Sequence, residues 1–176
     1  PNQRDKFRLS FAGHRPGTSL WSIYLGLDQK PEKFGVSAYS TFIFPDWMET
    51  FSDLSADIFV GAPGEKEPGF VFVDYAKIDS GLGTKNKYFA TLCGIDHLKN
   101  WENLSDENYK IKKSAWQEAI MRTLENSFPG IRSAVFYEEM ATAKTMKKYL
   151  NTPNGEVYGF SQDPTSAGRN RPGPRT

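Results

Sequence analysis

Residue types that commonly perform catalysis or bind metals are few in this chain, and their spacing matches no familiar site. His14 and His97 are the only histidines and Cys93 is the only cysteine, so the paired ligands of zinc sites do not occur. No Gly-x-Ser-x-Gly sequence, which marks the nucleophile of many hydrolases, is present. We therefore expect surface or capping roles for the histidines and a buried, unreactive thiol for Cys93.

A dinucleotide-binding fingerprint is incomplete. Gly81-Leu82-Gly83 supplies Gly-x-Gly, but Asn86 stands where the third glycine belongs, and the segment lies between two predicted strands instead of before a helix. Glu138 and Glu139 resemble a carboxylate pair, but neighbouring side chains of a strand point to opposite faces. Solvated or ion-paired roles are the expected interpretation of these two carboxylates.

Clusters of cationic residues are better explained by solvation than by ligand binding. The three lysines at 110, 112 and 113 are expected on the solvent-exposed face of a predicted helix. The three arginines at 169, 171 and 175 could fork onto phosphate oxygens, but the segment around them is rich in proline and glycine and is expected to be irregular. The formal net charge of +1 gives no broad electrostatic footprint for nucleic acid, so no nucleic-acid partner is expected.

Short runs rich in aromatic and β-branched residues predict the strands of an α+β fold. We expect a mixed, largely antiparallel sheet of about five strands with helices packed on one face. The residues between 78 and 87 are expected to form a hairpin loop between the third and fourth strands. The predicted strands are Ser19–Asp28, Val36–Phe44, Phe70–Tyr75, Tyr88–Cys93 and Ile131–Tyr137.

Three helices are predicted at Trp47–Phe59, Ser105–Phe128 and Thr142–Leu150. The second has the clearest pattern, because Ser105 can cap it and Pro129-Gly130 can end it. Its apolar residues recur at helical period and predict one buried stripe. The stripe consists of Trp116, Ala119, Ile120, Leu124 and Phe128.

The strand Phe70–Tyr75 is apolar on both of its alternating faces. A single layer of helices covers only one face, so the second should be partly bare or hidden by a homodimer. The excess of aromatic residues fits core packing and an apolar pocket wall equally well.

Five weak motifs, in order, resemble one family of FAD-dependent oxidoreductases. The family comprises the phytoene desaturases, carotene isomerases and retinol saturase, and the resemblance covers about Ser19 to Thr176. One departure is Ala143, where the family usually has proline. The motifs are Leu25-Gly26-Leu27, Asp79-Ser80, Phe128-Pro129-Gly130-Ile131, the segment from Thr142 to Gly159 with its Gly-x-x-Tyr-Gly ending, and Arg171-Pro172-Gly173-Pro174-Arg175-Thr176.

The resemblance implies that residues 1–160 are the substrate-binding domain of a flavin oxidoreductase. Residues 161–176 would lead back to an FAD-binding domain of the same polypeptide, outside this chain. The parent protein would use FAD for hydride transfer with an apolar polyene or related lipid, whereas this chain alone would bind no FAD and would be inactive. No metal is implied, and no catalytic acid or base is assigned. The candidates for lining the substrate pocket are Tyr158, Phe160, Phe72 and Tyr75.

Two other functions stay open: a stand-alone carrier of apolar ligands and a protein-interaction module. No apolar stretch approaches the roughly 20 residues that span a bilayer. We expect a cytoplasmic location, because a single cysteine fits a reducing compartment, with peripheral contact at the inner membrane face as a further option.

Overall fold

A computed structural model describes residues 5, 6, 9, 11–54, 68–164 and 166–171. Within these residues five strands form one sheet, and each of its four strand pairings is antiparallel. The α+β fold is therefore confirmed, with the strand order β2-β3-β4-β1-β5. The elements are β1 (Ser19–Leu27), β2 (Ser40–Ile43), β3 (Phe70–Asp74), β4 (Tyr88–Asp96), α1 (Asp106–Ser127), β5 (Val135–Ala141) and α2 (Ala143–Leu150).

One face of the sheet packs against α1 and forms the core. Alternate residues of β1, from Trp21 to Leu27, are fully buried on this face. The predicted stripe of α1 is also confirmed, since Trp116, Ile120 and Leu124 are all buried in the same cluster. The side chain of Ser105 accepts a hydrogen bond from the backbone N–H of Asn108 and so caps the helix as expected.

The strand predicted at Ile131–Tyr137 begins later and ends later than expected. Ile131–Ala134 forms a 3-10 turn, and β5 runs from Val135 to Ala141. Gly130 precedes the turn with a φ of 89°, a left-handed conformation that redirects the chain before a strand can start. Ile131 and Ala134 are buried in this turn, and their apolar side chains produce the pattern that predicts a strand here.

The predicted helix at Trp47–Phe59 is not found in its described part, 47–54. That part contains the 3-10 turn Phe51–Leu54, and residues 55–59 lie outside the described residues. The Asp53 carboxylate accepts hydrogen bonds from the backbone N–H groups of Glu49 and Thr50. Such side-chain bonds to the local backbone compete with helical bonds and favour a turn.

Candidate ligand-binding face

The second face of the sheet, called here the open face, carries the side chains that point away from α1. The register fixes its membership, because directly opposite residues of paired strands share a face. All of its residues except the buried Ala141 are half-buried or exposed. They are Leu20, Ser22, Tyr24 and Gly26 of β1, Ser40 and Phe42 of β2, Val71 and Val73 of β3, Phe89, Thr91, Cys93 and Ile95 of β4, and Tyr137, Glu139 and Ala141 of β5.

Four aromatic side chains form a continuous row at one end of the open face. The ring of Tyr24 stacks on Phe89 with centroids 6.4 Å apart. Phe89 also contacts Tyr75 at 5.4 Å, and Tyr75 meets Tyr39 edge to face at 5.9 Å. These separations are typical of attractive aromatic pairs. The row gives this end of the face a largely aromatic surface.

Hydrogen bonds of Asp74, one through its side chain and one through its backbone, hold the outer half of this row in place. The Asp74 carboxylate accepts from the N–H of Ala76 and starts the 3-10 turn Tyr75–Lys77, which directs Tyr75 toward Phe89. Burial raises the pKa of Asp74, opposed in part by the Ala76 hydrogen bond. The N–H of Asp74 donates to the carbonyl of Tyr39. The pKa of Tyr39 is raised mainly by partial burial, and to a smaller extent by the charge of Tyr75 and a hydrogen bond with it.

A shallow depression adjoins the row where the hairpin loop of residues 78–87 meets the sheet. Leu82, Phe89 and Phe136 line it together with Gly26, and most of its lining is apolar. The Phe136 ring packs directly over Gly26, where a Cβ atom would lie 2.8 Å from Cζ of Phe136. The Lys87 ammonium group sits over the Phe136 ring, 3.8 Å from its centroid, and marks the polar rim of the depression.

On β5 the open face carries a carboxylate, Glu139, and a tyrosine, Tyr137. The Tyr137 hydroxyl donates a hydrogen bond to Oε2 of Glu139 over 2.5 Å. This hydrogen bond is the main reason that the pKa of Tyr137 is raised, with smaller contributions from burial and from the carboxylate charge. The hydroxyl therefore remains protonated at neutral pH, and its proton is engaged by the carboxylate.

Cys93 lies on the open face and is half-buried, not fully buried as expected. Burial raises the pKa of its thiol, so the neutral form dominates at neutral pH and the thiol is a poor nucleophile. The expectation of low reactivity and the observed environment agree.

The four pocket candidates occupy three different places. Tyr75 belongs to the aromatic row. Phe72 is fully buried in the core and packs against Phe128 with ring centroids 6.0 Å apart. Tyr158 is 67% exposed, and the half-buried Phe160 packs on Phe11 and His14.

Tyr158 and Phe160 adjoin the opposite end of β1 from the row. The N–H of Val157 donates to the carbonyl of Thr18, just before β1, whereas Phe89 pairs with Gly26 near its end. Nine residues of strand span roughly 26 Å. The candidates near the two ends of β1 are therefore far apart, and the structure does not gather them in one pocket.

Several other side chains that could act in catalysis or ligand binding form hydrogen bonds with neighbouring residues. His14 hydrogen-bonds Ser166 through Nδ1, and Glu138 accepts from the Gln117 side chain on α1. Lys112 is not simply solvated, since its ammonium group donates a hydrogen bond to the backbone carbonyl of Asn100. Within the described residues no group of three or more His, Cys, Asp or Glu could hold a metal ion. None of the helices in this part of the chain is long and apolar enough to cross a membrane.

In sequence comparisons the chain matches parts of several longer proteins. The chain is 26% identical to all-trans-retinol 13,14-reductase of Danio rerio over 164 residues, which is 86% of this chain and 26% of that protein. It is 28% identical to the chloroplastic prolycopene isomerase of Daucus carota over 93 residues, 52% of this chain and 15% of that protein. The isomerase of Arabidopsis thaliana is 28% identical over 97 residues.

The chain resembles all-trans-retinol 13,14-reductase and the prolycopene isomerases. The resemblance expected from the five motifs is thereby confirmed. No protein-family model matches the chain. The chain spans about a quarter of the length of the reductase and less of the isomerases.

Proposed function

We propose that this chain forms the substrate-facing part of an FAD-dependent oxidoreductase that acts on an elongated, apolar polyene or related lipid. The observation that carries the proposal is the open face, where a row of aromatic side chains lies half-exposed on a sheet whose other face is covered by α1. Exposed apolar surface of this kind usually marks a ligand or contact surface. The names of the relatives, one a reductase of retinol and the others isomerases of prolycopene, support a polyene ligand.

The Gly-x-Gly segment of this chain does not fit the role of binding FAD. The glycine pair at 81 and 83 lies in the loop between β3 and β4, whereas a pyrophosphate site needs a glycine-rich turn that leads into a helix N-terminus. We assign FAD to another part of the same polypeptide. When bound there it would supply the hydride chemistry, and the present chain would contribute binding, orientation and exclusion of water.

The shape of the open face suits a long ligand better than a compact one. The aromatic row and the Leu82–Phe136 depression lie near the end of β1, and the segment with Tyr158 and Phe160 lies beside its start. Between them β1 and β4 present Leu20, Ile95 and Cys93, which form a mainly apolar floor. Burying this surface against a ligand would contribute about 25 cal/mol per Å² of apolar area.

The exposed pair Phe42 and Phe44 suits contact with the FAD-binding part of the polypeptide. Their rings stack at 6.1 Å, and 68% and 51% of their surfaces are exposed. They lie at the β2 edge, away from the β1 floor. An edge strand that another segment covers would also be protected from pairing with foreign strands.

Titration of all-trans-retinol into the purified chain, followed by retinol fluorescence, tests the proposal. We expect saturable binding that weakens at least about tenfold in Tyr24→Ala, because a stacked aromatic of the row is lost. Ile111→Ala is the matched control, since Ile111 is 61% exposed on α1.

Circular dichroism and urea unfolding establish that each variant is folded. Equal affinity of Tyr24→Ala and the unmodified chain would contradict the proposed site. A lack of saturable binding by the unmodified chain would contradict the function and leave the interaction module as the better account.

A further inference from the structure

The polar pair on β5 stands apart from the rest of the open face. Among the described strand residues of this face, Glu139 is the only carboxylate. The register places Glu139 opposite Tyr24 and Tyr137 opposite Gly26, so the pair borders the aromatic row.

We infer that Glu139, oriented by Tyr137, binds the hydroxyl end group of an elongated apolar alcohol. The open face would then prefer an alcohol over an ester or hydrocarbon with the same polyene. This inference rests on the proposed function and names the chemical class of its ligand.

The hydrogen-bonding capacity of the pair defines this preference. An ionised carboxylate only accepts hydrogen bonds, at about four lone-pair positions, and Tyr137 fills one of them. The one hydroxyl proton of Tyr137 is engaged by Glu139, so the pair presents acceptors and no free donor. A ligand hydroxyl can donate to these acceptors, whereas an ester or a hydrocarbon cannot.

The position of the pair agrees with a ligand that is apolar along its length and polar at one end. Tyr24 lies beside Glu139 and stacks on Phe89, so an apolar chain lying on these rings would bring its end group to the carboxylate. Glu138, the preceding residue in the chain, faces α1 and accepts a hydrogen bond from Gln117. Glu138 therefore cannot contact the same ligand, although it has the same chemistry.

Competitive binding of all-trans-retinol and retinyl acetate to the full chain tests the inference. The two ligands share the polyene and differ in the free hydroxyl. We expect the unmodified chain to bind retinol about tenfold more tightly, as for a hydrogen bond to a charged acceptor in a partly exposed site. In Glu139→Leu the ratio should fall to about one, with the affinity for the acetate retained.

Glu138→Leu is the matched control and should retain the tenfold ratio. Glu139→Gln serves as a second variant that keeps the shape of the side chain, and its ratio should fall in the same direction. An unchanged ratio in folded Glu139→Leu, with retinoid binding intact, would overturn the inference and leave the proposed function standing. An equal loss of preference in Glu138→Leu would also overturn the inference, since the preference would then depend on the net charge of the protein and not on the position of Glu139. Absence of binding of both retinoids would overturn the proposed function and the inference together.

Discussion

Trp101 donates its indole N–H to Asp96, with Nε1 2.7 Å from one carboxylate oxygen and 2.9 Å from the other. Both residues are fully buried. The same carboxylate accepts from the side chain of Asn100 and from the backbone N–H of Ala143, the first residue of α2, at 2.7 Å. Asp96 thus ties the end of β4 to the start of α2.

Asp96→Ala should destabilise the protein strongly. The substitution leaves the buried donors of Trp101 and Ala143 without an acceptor, and each unsatisfied group costs about 1–3 kcal/mol. We expect the free energy of unfolding in urea to fall by about 2–5 kcal/mol. Asp79→Ala, at an exposed loop position, should change it by less than about 0.5 kcal/mol. Similar losses in the two variants would show that the Asp96 bonds contribute little.

Leu124→Ala should also destabilise the protein, through the core. Leu124 is fully buried between α1 and the sheet, so the expected loss is about 2–5 kcal/mol in chemical denaturation. Ile111→Ala removes a similar side chain from the exposed face of the same helix and should cost far less. A loss below about 1 kcal/mol for Leu124→Ala would indicate a core that closes around the gap.

The sequence predicted most elements of the fold because their signals are local. The capped amphipathic pattern from Ser105 to Phe128 defined α1, and the aromatic runs identified five strands. The ends of β5 were missed because Ile131 and Ala134 are buried in a turn, and because Glu138 and Glu139 lie on an edge strand. Edge strands tolerate charged residues, which discourage pairing with other chains.

The sequence predicts a second, partly bare face of the sheet, but not the arrangement of residues on it. Alternation in Phe70–Tyr75 indicated a second apolar face, and Tyr75 was among the candidates. Tyr24, Phe89 and Glu139 come together only through the pairing register of β1 with β4 and β5, and sequence alone does not give that register. Asp96 was overlooked for the same reason, since Ala143 is 47 positions away.

Acid should destabilise the turn that follows α1. Glu125 accepts backbone hydrogen bonds from Arg132 and Gly130, and these hold its pKa below the ordinary value of 4.5. A carboxylate with a lowered folded-state pKa contributes stability that is present above its unfolded pKa and lost as pH falls through the folded value. We expect the free energy of unfolding to decline below about pH 4.5 more steeply in the unmodified chain than in Glu125→Gln.

Urea unfolding over a series of pH values measures this difference. Glu102→Gln is a suitable control, because it removes an exposed carboxylate outside this turn and should leave the acid profile unchanged. Parallel profiles for the unmodified chain and Glu125→Gln would contradict the assigned role of Glu125.

Residues 1–176 should bind no FAD. Their Gly-x-Gly segment lacks the third glycine and lies in a hairpin loop, where no helix N-terminus is available for the pyrophosphate. The chain is mixed with excess FAD and passed through gel filtration, and the visible spectrum of the protein peak is recorded. Retention of stoichiometric flavin would contradict the assignment of the cofactor to another part of the polypeptide. Retinol binding by the same flavin-free preparation would instead show that the open face recognises its ligand without the cofactor, as expected for a part that positions substrate while hydride chemistry is supplied elsewhere.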